Sequence, residues 1–421
     1  MNAVMGTYGD EMEASYAVNF GRDREPTTKR SRHPEYRRKG SAPARVSGMH
    51  CRRNKRWTWG SGRGARMMNM RAFAGCLAVA LASVSAAAFG GVLNTTTFST
   101  INNTGNAGNG SSSPTGLGSV SSVYKMATTE VTNAQYVQFL NAMDPNGTNP
   151  KGIYNTASGT SGFGGILLNG TAAPGSRYAV KTTPATGGNS YTSMPVNFVN
   201  WFSAARFVNW LNNGEQSVLV SGTGAVNSME TGAYVLSGST SGNLPSRSAG
   251  AQVFLPSQNE WYKAAFYNGP GSFYTNFQTN SNATPFATGT VFNVANSANY
   301  ANNPTGFPIN VGSFTNQSTS AYGLFDMLGN VAELTDNTGV ATSASYRAFG
   351  GGWGGAATAW NGTAAAVSQL GTFTNASYGF RIAAVPEPGT IALAGVGIAG
   401  LFGLDWMKRR KKRSAAARHL A

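Results

Sequence analysis

Apolar residues recur at helical spacing in three short islands of this chain, at strand spacing in a few others, and the islands are separated by Gly, Ser, Asn and Thr-rich stretches such as 155 to 192 and 221 to 250. Thr132-Asn133-Ala134-Gln135 is a capping box, in which the Thr hydroxyl takes an orphan amide and Gln reaches back, and Tyr136, Phe139 and Leu140 follow on one face. Trp201, Ala204, Ala205, Val208 and Leu211 make a second helical stripe. Ser257-Gln258-Asn259-Glu260, just after Pro256, is another capping box and opens a helix through Trp261 and Ala265. Val253 to Leu255 and Tyr346 to Phe349 read as strands, and Gly350-Gly351-Gly352-Trp353 as a bulge or a close backbone approach. Residues 89 to 121, polar with scattered apolar positions, read as a flexible leader or an edge strand.

Two apolar runs have a different character. Thr390 to Met407 is an 18-residue run, which as a helix covers about 27 Å, close to the thickness of the hydrocarbon layer of a bilayer. Lys408-Arg409-Arg410-Lys411-Lys412-Arg413 follows, and cationic clusters stay on the cytoplasmic side, so everything before Val385 is expected outside the inner membrane. Asp405 sits at the cytoplasmic end of the run, where a charge can reach water. Ala72 to Val84, preceded by Arg66 and Arg71 and followed by Ala86-Ala87-Ala88, has the pattern of a secretory signal peptide cleaved after Ala88. Cys76 lies near the start of the apolar region, whereas a lipidated cysteine would follow it. Residues 1 to 66 are basic and aperiodic: either translation starts at Met67, Met68 or Met70, or this is a disordered cytoplasmic extension.

These segments change the meaning of the charge. The formal net charge is +16, yet residues 1 to 71 contribute +10 and residues 408 to 421 contribute +7. The body between them is near neutral and offers no electrostatic footprint for nucleic acid. Both cysteines (Cys51, Cys76) and all three histidines (His33, His50, His419) also fall in the terminal segments. The expected mature domain therefore has no disulfide, no zinc site built on Cys or His, no Ser-His-Asp triad and no thiol nucleophile. Its chemistry must come from carboxylates, hydroxyls, Lys, Arg, Tyr and amides.

Taken in order, the motifs resemble a known family. Thr129-Glu130-Val131-Thr132-Asn133-Ala134-Gln135-Tyr136 looks like its opening motif and Pro195 to Trp201, with Ala204-Ala205 and Trp210-Leu211, like its second. Phe254 to Trp261 with Ala264-Ala265 is similar to its third. Tyr322-Gly323-Leu324-Phe325-Asp326-Met327-Leu328-Gly329-Asn330-Val331-Ala332-Glu333 is the most specific, and Gly351-Gly352-Trp353 with Gly379-Phe380-Arg381 completes the series. This resembles the formylglycine-generating enzyme, or sulfatase-modifying factor, family over residues 122 to 384. Val385-Pro386-Glu387-Pro388, the apolar run and the basic end resemble the PEP-CTERM sorting signal over residues 385 to 413, with an ordinary tail anchor as the alternative.

The first resemblance implies an irregular single α+β domain, distantly C-type-lectin-like, with low regular secondary structure. Active members oxidise a substrate cysteine with copper held by two cysteines between the last two motifs. Here Gly354 to Tyr378 contains neither Cys nor Met, so a soft copper(I) ion has no ligand and copper is not expected. Another branch uses iron on histidines from an added helical domain, which this chain also lacks. The remaining use of the fold is ligand display. The expected function is an exported cell-surface or extracellular-matrix protein with a non-catalytic domain, ligand-binding or structural; the alternative is a divergent formylglycine-generating oxidoreductase or a carboxylate-based hydrolase. The second resemblance implies signal peptidase and exosortase as partners during export, a transient membrane anchor, and an extracellular polysaccharide or surface protein afterwards.

Candidate residues follow. Trp360 with Asn361, and Tyr274 with Asn276, are candidates for ligand binding, because rings stack on apolar sugar faces and amides bond hydroxyls; the competing reading is core packing. Asn330 and Glu333, with Asn299, match fragments of the family's calcium sites; the competing reading pairs Glu333 with Arg347 or Arg381. Arg381, amid apolar neighbours, is expected to be buried and paired, and Glu130 and Glu260 to be fixed parts of the scaffold.

Overall fold

Side-chain caps start three helices, two of them at the capping boxes read from the sequence. The computed structural model describes residues 91–182, 189–302, 306–336, 343–355, 361 and 366–386. Helix α1 is Asn133–Met143, α2 is Trp201–Asn212 and α3 is Gln258–Phe266. Both capping boxes form: Thr132 accepts the Gln135 amide while Gln135 accepts the Thr132 amide, and Ser257 and Glu260 do the same. Asn200 caps α2 by accepting the Ser203 amide at 2.8 Å.

Helix α2 is buried from Trp201 through Leu211. A half-polar surface helix would leave one face to water, but Arg206 and Asn209 on this one are buried and bonded. Arg206 meets Glu230 at 2.9 and 3.2 Å, and Asn209 holds the backbone of Met229 and Tyr234. Helix α1 meets α2 through rings: Tyr136 stacks on Phe207 at 5.5 Å, Phe139 stands edge-on to Phe207 at 5.5 Å, and Phe380 closes the group at 5.4 Å from Phe207. Each such pair adds about 0.5–1.5 kcal/mol beyond area burial, so this seam fixes the two helices and the last motif to one another.

Two four-stranded sheets frame the helices. One consists of β1 (Phe98–Ile101), β2 (Tyr124–Ala127), β3 (Val253–Phe254) and the final strand; the other of β4 (Ala332–Leu334), β5 (Ser345–Phe349), β6 (Ala366–Leu370) and β7 (Tyr378–Gly379). The final strand, β8, is Ala383–Ala384. The first sheet runs β1-β2-β8-β3, all antiparallel; the second runs β6-β5-β4-β7, with β4 and β7 parallel. Regular elements are short and connections long, giving a mixed α+β fold of low regular secondary structure.

Of the two readings of residues 89 to 121, a flexible leader or an edge strand, the structure has the edge strand. Strand β1 is the edge strand of the first sheet, with Ile101 fully buried. Glu215 accepts the amides of Val92 and Leu93 at 2.8 and 2.9 Å, and Asn109 bonds the Tyr262 hydroxyl on α3. The scattered apolar residues of this stretch are anchors, and their spacing is too irregular to announce that. The span 390 to 407 and the signal peptide lie outside the described residues; among the described residues no helix is long and apolar enough to cross a membrane.

Candidate functional site

The densest chemistry lies where the first, fourth and last motifs meet. Glu130 comes from the loop before α1, Asp326 from the turn ahead of β4, Asn330 and Glu333 from the entry and middle of β4, and Arg381 from between β7 and β8. Asp326 and Asn330 take positive φ, +56° and +57°, which Asn and Asp tolerate better than most residues, and so the chain folds back twice within five positions. Arg381 donates to both Glu333 oxygens at 2.5 Å, to the Ala127 carbonyl at 3.1 Å and to the Phe325 carbonyl at 2.9 Å. Trp261 Nε1 on α3 donates to Glu333 Oε2 at 2.6 Å. Asn330 Nδ2 donates to Glu130 Oε1 at 3.1 Å, and the Gly312 amide to Asp326 Oδ2 at 2.6 Å.

Burial governs the electrostatics here. It pushes Glu130 well above the usual carboxylate range, the Asp326 charge adds to that, and Arg381 opposes it. Asp326 is raised to about 6, again chiefly by burial, against the pull of the Gly312 amide and Arg381.

The calcium candidates are all placed in this region, but the donor set does not fit calcium. Both Glu333 oxygens already receive N–H donors. Asn330 Oδ1 accepts the Ile309 amide at 2.9 Å, and Asn299 Nδ2 points its donor to the Phe307 carbonyl at 3.0 Å. Calcium takes six to eight oxygens, and the two Glu333 oxygens and Asn330 Oδ1 are already spent on N–H groups. Arg381 is thus the partner of Glu333; Arg347 instead reaches the Ser113 carbonyl at 3.4 Å. Glu260 keeps its cap and also holds Arg247.

Beside the cluster lies an aromatic shelf. Phe163 sits 4.9 Å from Phe307 and 5.0 Å from Trp353, ring centre to ring centre, and stacks on the latter. All three rings are half-buried. Buried amides hold the shelf from behind: Asn197 donates to the Phe163 carbonyl at 2.9 Å, Asn299 to the Phe307 carbonyl, and the Trp353 amide donates to the Asn330 carbonyl at 3.0 Å. Trp353 Nε1 and Asn197 Oδ1 are buried polar atoms with no hydrogen-bond partner among the described residues. Phe163 escaped the sequence reading because it sits in the Gly/Ser-rich stretch 155 to 192; the Gly-Phe-Gly-Gly context at 162–165 was the one local signal.

The proposed ligand residues fare differently. Trp360 lies outside the described residues, and its neighbour Asn361 is half-buried. Tyr274 is packing: its hydroxyl accepts from Asn106 and donates to the Ala107 carbonyl, both at 2.8 Å, and its ring lies against Tyr262 and Tyr267. An added Cβ at Gly118 would come within 2.6 Å of that hydroxyl, so the N-terminal segment covers this ring. Asn276 is exposed and braces a local turn through Asn282.

The model of the sulfatase-modifying factor enzyme 1-like domain matches residues 97–385, and that of the PEP-CTERM protein-sorting motif matches residues 384–411. Among solved structures, the chain is similar to Treponema denticola variable protein 1, at 18% identity over 69% of this chain and 95% of that one, TM-score 0.42. It is similar to CarF at 16% identity, over 69% of this chain and 99% of that one, TM-score 0.41. The third is PvdO from Pseudomonas aeruginosa, 17% identical over 63% of this chain and 82% of that one, TM-score 0.35. No functionally curated protein matches the chain.

Proposed function

The chain belongs to the sulfatase-modifying factor enzyme 1-like family, and from that premise we propose that it is an exported cell-surface or extracellular protein whose domain binds a ligand or builds structure. The observation that carries the reading is the composition of the matched region: residues 97–385 contain no cysteine and no histidine. Copper-dependent cysteine oxidation on thiolate ligands has no ligands in that region. The sorting motif supports export and processing by an exosortase, with residues 67 to 88 removed beforehand by signal peptidase.

Binding is assigned to the shelf of Phe163, Phe307 and Trp353 in place of Tyr274 and Asn276. Its rings are part-exposed, its backbone carbonyls are tied down from behind, and rigid aromatic surface makes contacts at low entropic cost. The acids of the neighbouring cluster are buried, and Glu333 is bound up with Arg381, which weighs against a carboxylate-based hydrolase. The test is retention of the purified mature protein on columns of neutral polysaccharide, wild type against Phe163→Ala. Retention lost in the variant with an unchanged melting temperature supports the reading. A formylglycine mass shift on a cysteine-bearing sulfatase peptide incubated with the protein and copper overturns it.

A further inference from the structure

Two apolar side chains stand out of the fold close to where the chain leaves it. In the short helical turn Val218–Ser221, Val218 packs against the core, while Leu219 is 57% and Val220 87% exposed. Leu219 lies against Gly175, where an added Cβ would come within 2.6 Å of its Cδ1, and Leu168, 37% exposed, lies in the same way against Gly147. The Gly175 amide donates to the Pro145 carbonyl at 2.8 Å, which joins the two contacts into one apolar ridge. Arg177 packs its stem at Gly147, reaches the Gly170 carbonyl and has no carboxylate partner among the described residues. The acids alongside are spent: Glu215 accepts the Val92 and Leu93 amides, and Asp144 accepts from Thr148, Asn149 and Tyr178.

The exit is tied to the same end of α2. The Val385 amide donates to the Gln252 carbonyl at 3.0 Å, and the Gln252 and Val253 amides donate to Asn212 Oδ1 at 2.7 and 3.2 Å. Asn212 ends α2, and the Trp210 indole holds the Gln216 carbonyl at 2.7 Å, just ahead of the ridge. From Val385 to Thr390, where the apolar run of the sequence begins, the chain can reach at most about 18 Å, and the lipid headgroup layer takes roughly 5–8 Å of that. A compact domain of the matched length has a radius of roughly 25 Å. On so short a tether the face beside the exit meets the bilayer. We propose that, while the C-terminal segment is in the membrane, Leu168, Leu219 and Val220 rest in the headgroup layer on the outer side of the inner membrane, with Arg177 against lipid phosphate. This rests on the reading of the chain as passing through a membrane-anchored form. Apolar tips beside a cation suit an interfacial contact; a few side chains hold a domain weakly, and the tether supplies the effective concentration that makes the contact persist.

Residues 89–421 contain no cysteine, so one introduced cysteine takes one label. Val220→Cys and, for comparison, Phe286→Cys, an apolar position elsewhere that is 52% exposed, carry an environment-sensitive dye. Each protein, residues 89–421, is reconstituted into phosphatidylethanolamine and phosphatidylglycerol vesicles containing headgroup-labelled quencher lipid. Flotation is read first. In floating protein the dye at 220 is expected to be blue-shifted and quenched and the dye at 286 neither, and Leu168→Ser with Leu219→Ser is expected to weaken both effects at 220. The comparison of 220 with 286 decides alone if that double variant fails to fold. A dye at 220 that stays unquenched in floating protein overturns the proposal and leaves the anchor standing. Equal quenching at 286 does the same, as does a blue shift without quenching, which would mean that a second copy covers the ridge. Protein that does not float overturns the proposal and the anchor together.

Discussion

Arg381 and Glu333 meet through two hydrogen bonds of 2.5 Å with both side chains withdrawn from solvent. The pair joins strand β4 to the segment between β7 and β8, and Trp261 adds a third tie from α3. Such a pair contributes little net stability as a pair, but removing one partner leaves an uncompensated buried charge at a cost of about 3–5 kcal/mol. Arg381→Met is therefore expected to destabilise the domain by about that amount. In urea unfolding, the double variant Arg381→Met with Glu333→Leu is expected to recover much of the loss.

Helix α3 rests on a smaller device. Ser257 Oγ accepts the Glu260 amide at 3.1 Å and Glu260 returns the bond to the Ser257 amide at 2.6 Å. Ser257→Ala removes one of the two and is expected to cost about 1 kcal/mol. Glu260→Ala removes the other and also strips Arg247 of one of its two carboxylate partners, at 2.7 Å, so its cost is expected to be larger. Equilibrium unfolding of the two single variants checks the order.

Gly350 is where the triple-glycine turn admits no side chain. Its φ is +82°, and an added Cβ would lie 2.7 Å from the Met327 carbonyl oxygen and 3.3 Å from the Trp261 ring. Gly350→Ala is expected to lose at least about 1–2 kcal/mol from the left-handed backbone alone, with the clash added to it. Gly110, whose added Cβ would meet nothing within 4 Å, is the control: Gly110→Ala is expected to be neutral or slightly stabilising. Comparing the two melting temperatures separates a packed glycine from a loop glycine.

Helix starts and the motif order were legible because they depend on residues adjacent in sequence: a hydroxyl, three positions, and a Gln or Glu. The pairing of Glu333 with Arg381 was legible only as one of two alternatives, since Arg347 is as plausible from sequence and the choice is made by the parallel pairing of β4 with β7. An edge strand in residues 89 to 121 was legible only as one of two alternatives, and the anchoring of residues 92–109 was not legible, because its partners Glu215 and Tyr262 lie more than a hundred positions away. For Tyr274 the sequence left binding and core packing open for the same reason: nothing near it in sequence says that Asn106 and Ala107 cover its hydroxyl. The shelf depends on three residues from separate loops and has no sequence period at all.

Asp336 is a pH-dependent site. Burial raises its carboxyl from 3.8 to about 6, Arg247 opposes the shift and Glu260 adds to it, while its Oδ2 meets Arg247 Nε at 2.7 Å. The folded state thus holds a proton that the unfolded state releases, so the stabilising contribution is present below about pH 4 and is lost as pH rises through about 6. Asp336→Asn is expected to remove that part of the slope while keeping an oxygen for Arg247. Melting curves at pH values on either side of this window, wild type against variant, measure it.

The last strand of the described residues and the start of the sorting motif nearly coincide, so truncation can address them separately. Strand β8 pairs Ala383 and Ala384 with Met126 and Lys125 on one side and with Phe254 and Val253 on the other, and the Val385 amide makes one last bond to the Gln252 carbonyl at 3.0 Å. The sorting motif covers residues 384–411. Truncation after Pro386 keeps every one of those bonds, so the melting temperature of the truncated protein is expected to match that of the mature protein, with a stability difference below about 0.5 kcal/mol. Truncation after Ile382 removes β8 from the middle of its sheet, leaving β2 and β3 without their shared partner, and is expected to abolish folding. In cells the first truncation is expected to reach the medium without passing through a membrane-anchored form. A truncated protein that still fractionates with the membrane would show that the attachment lies elsewhere in the chain.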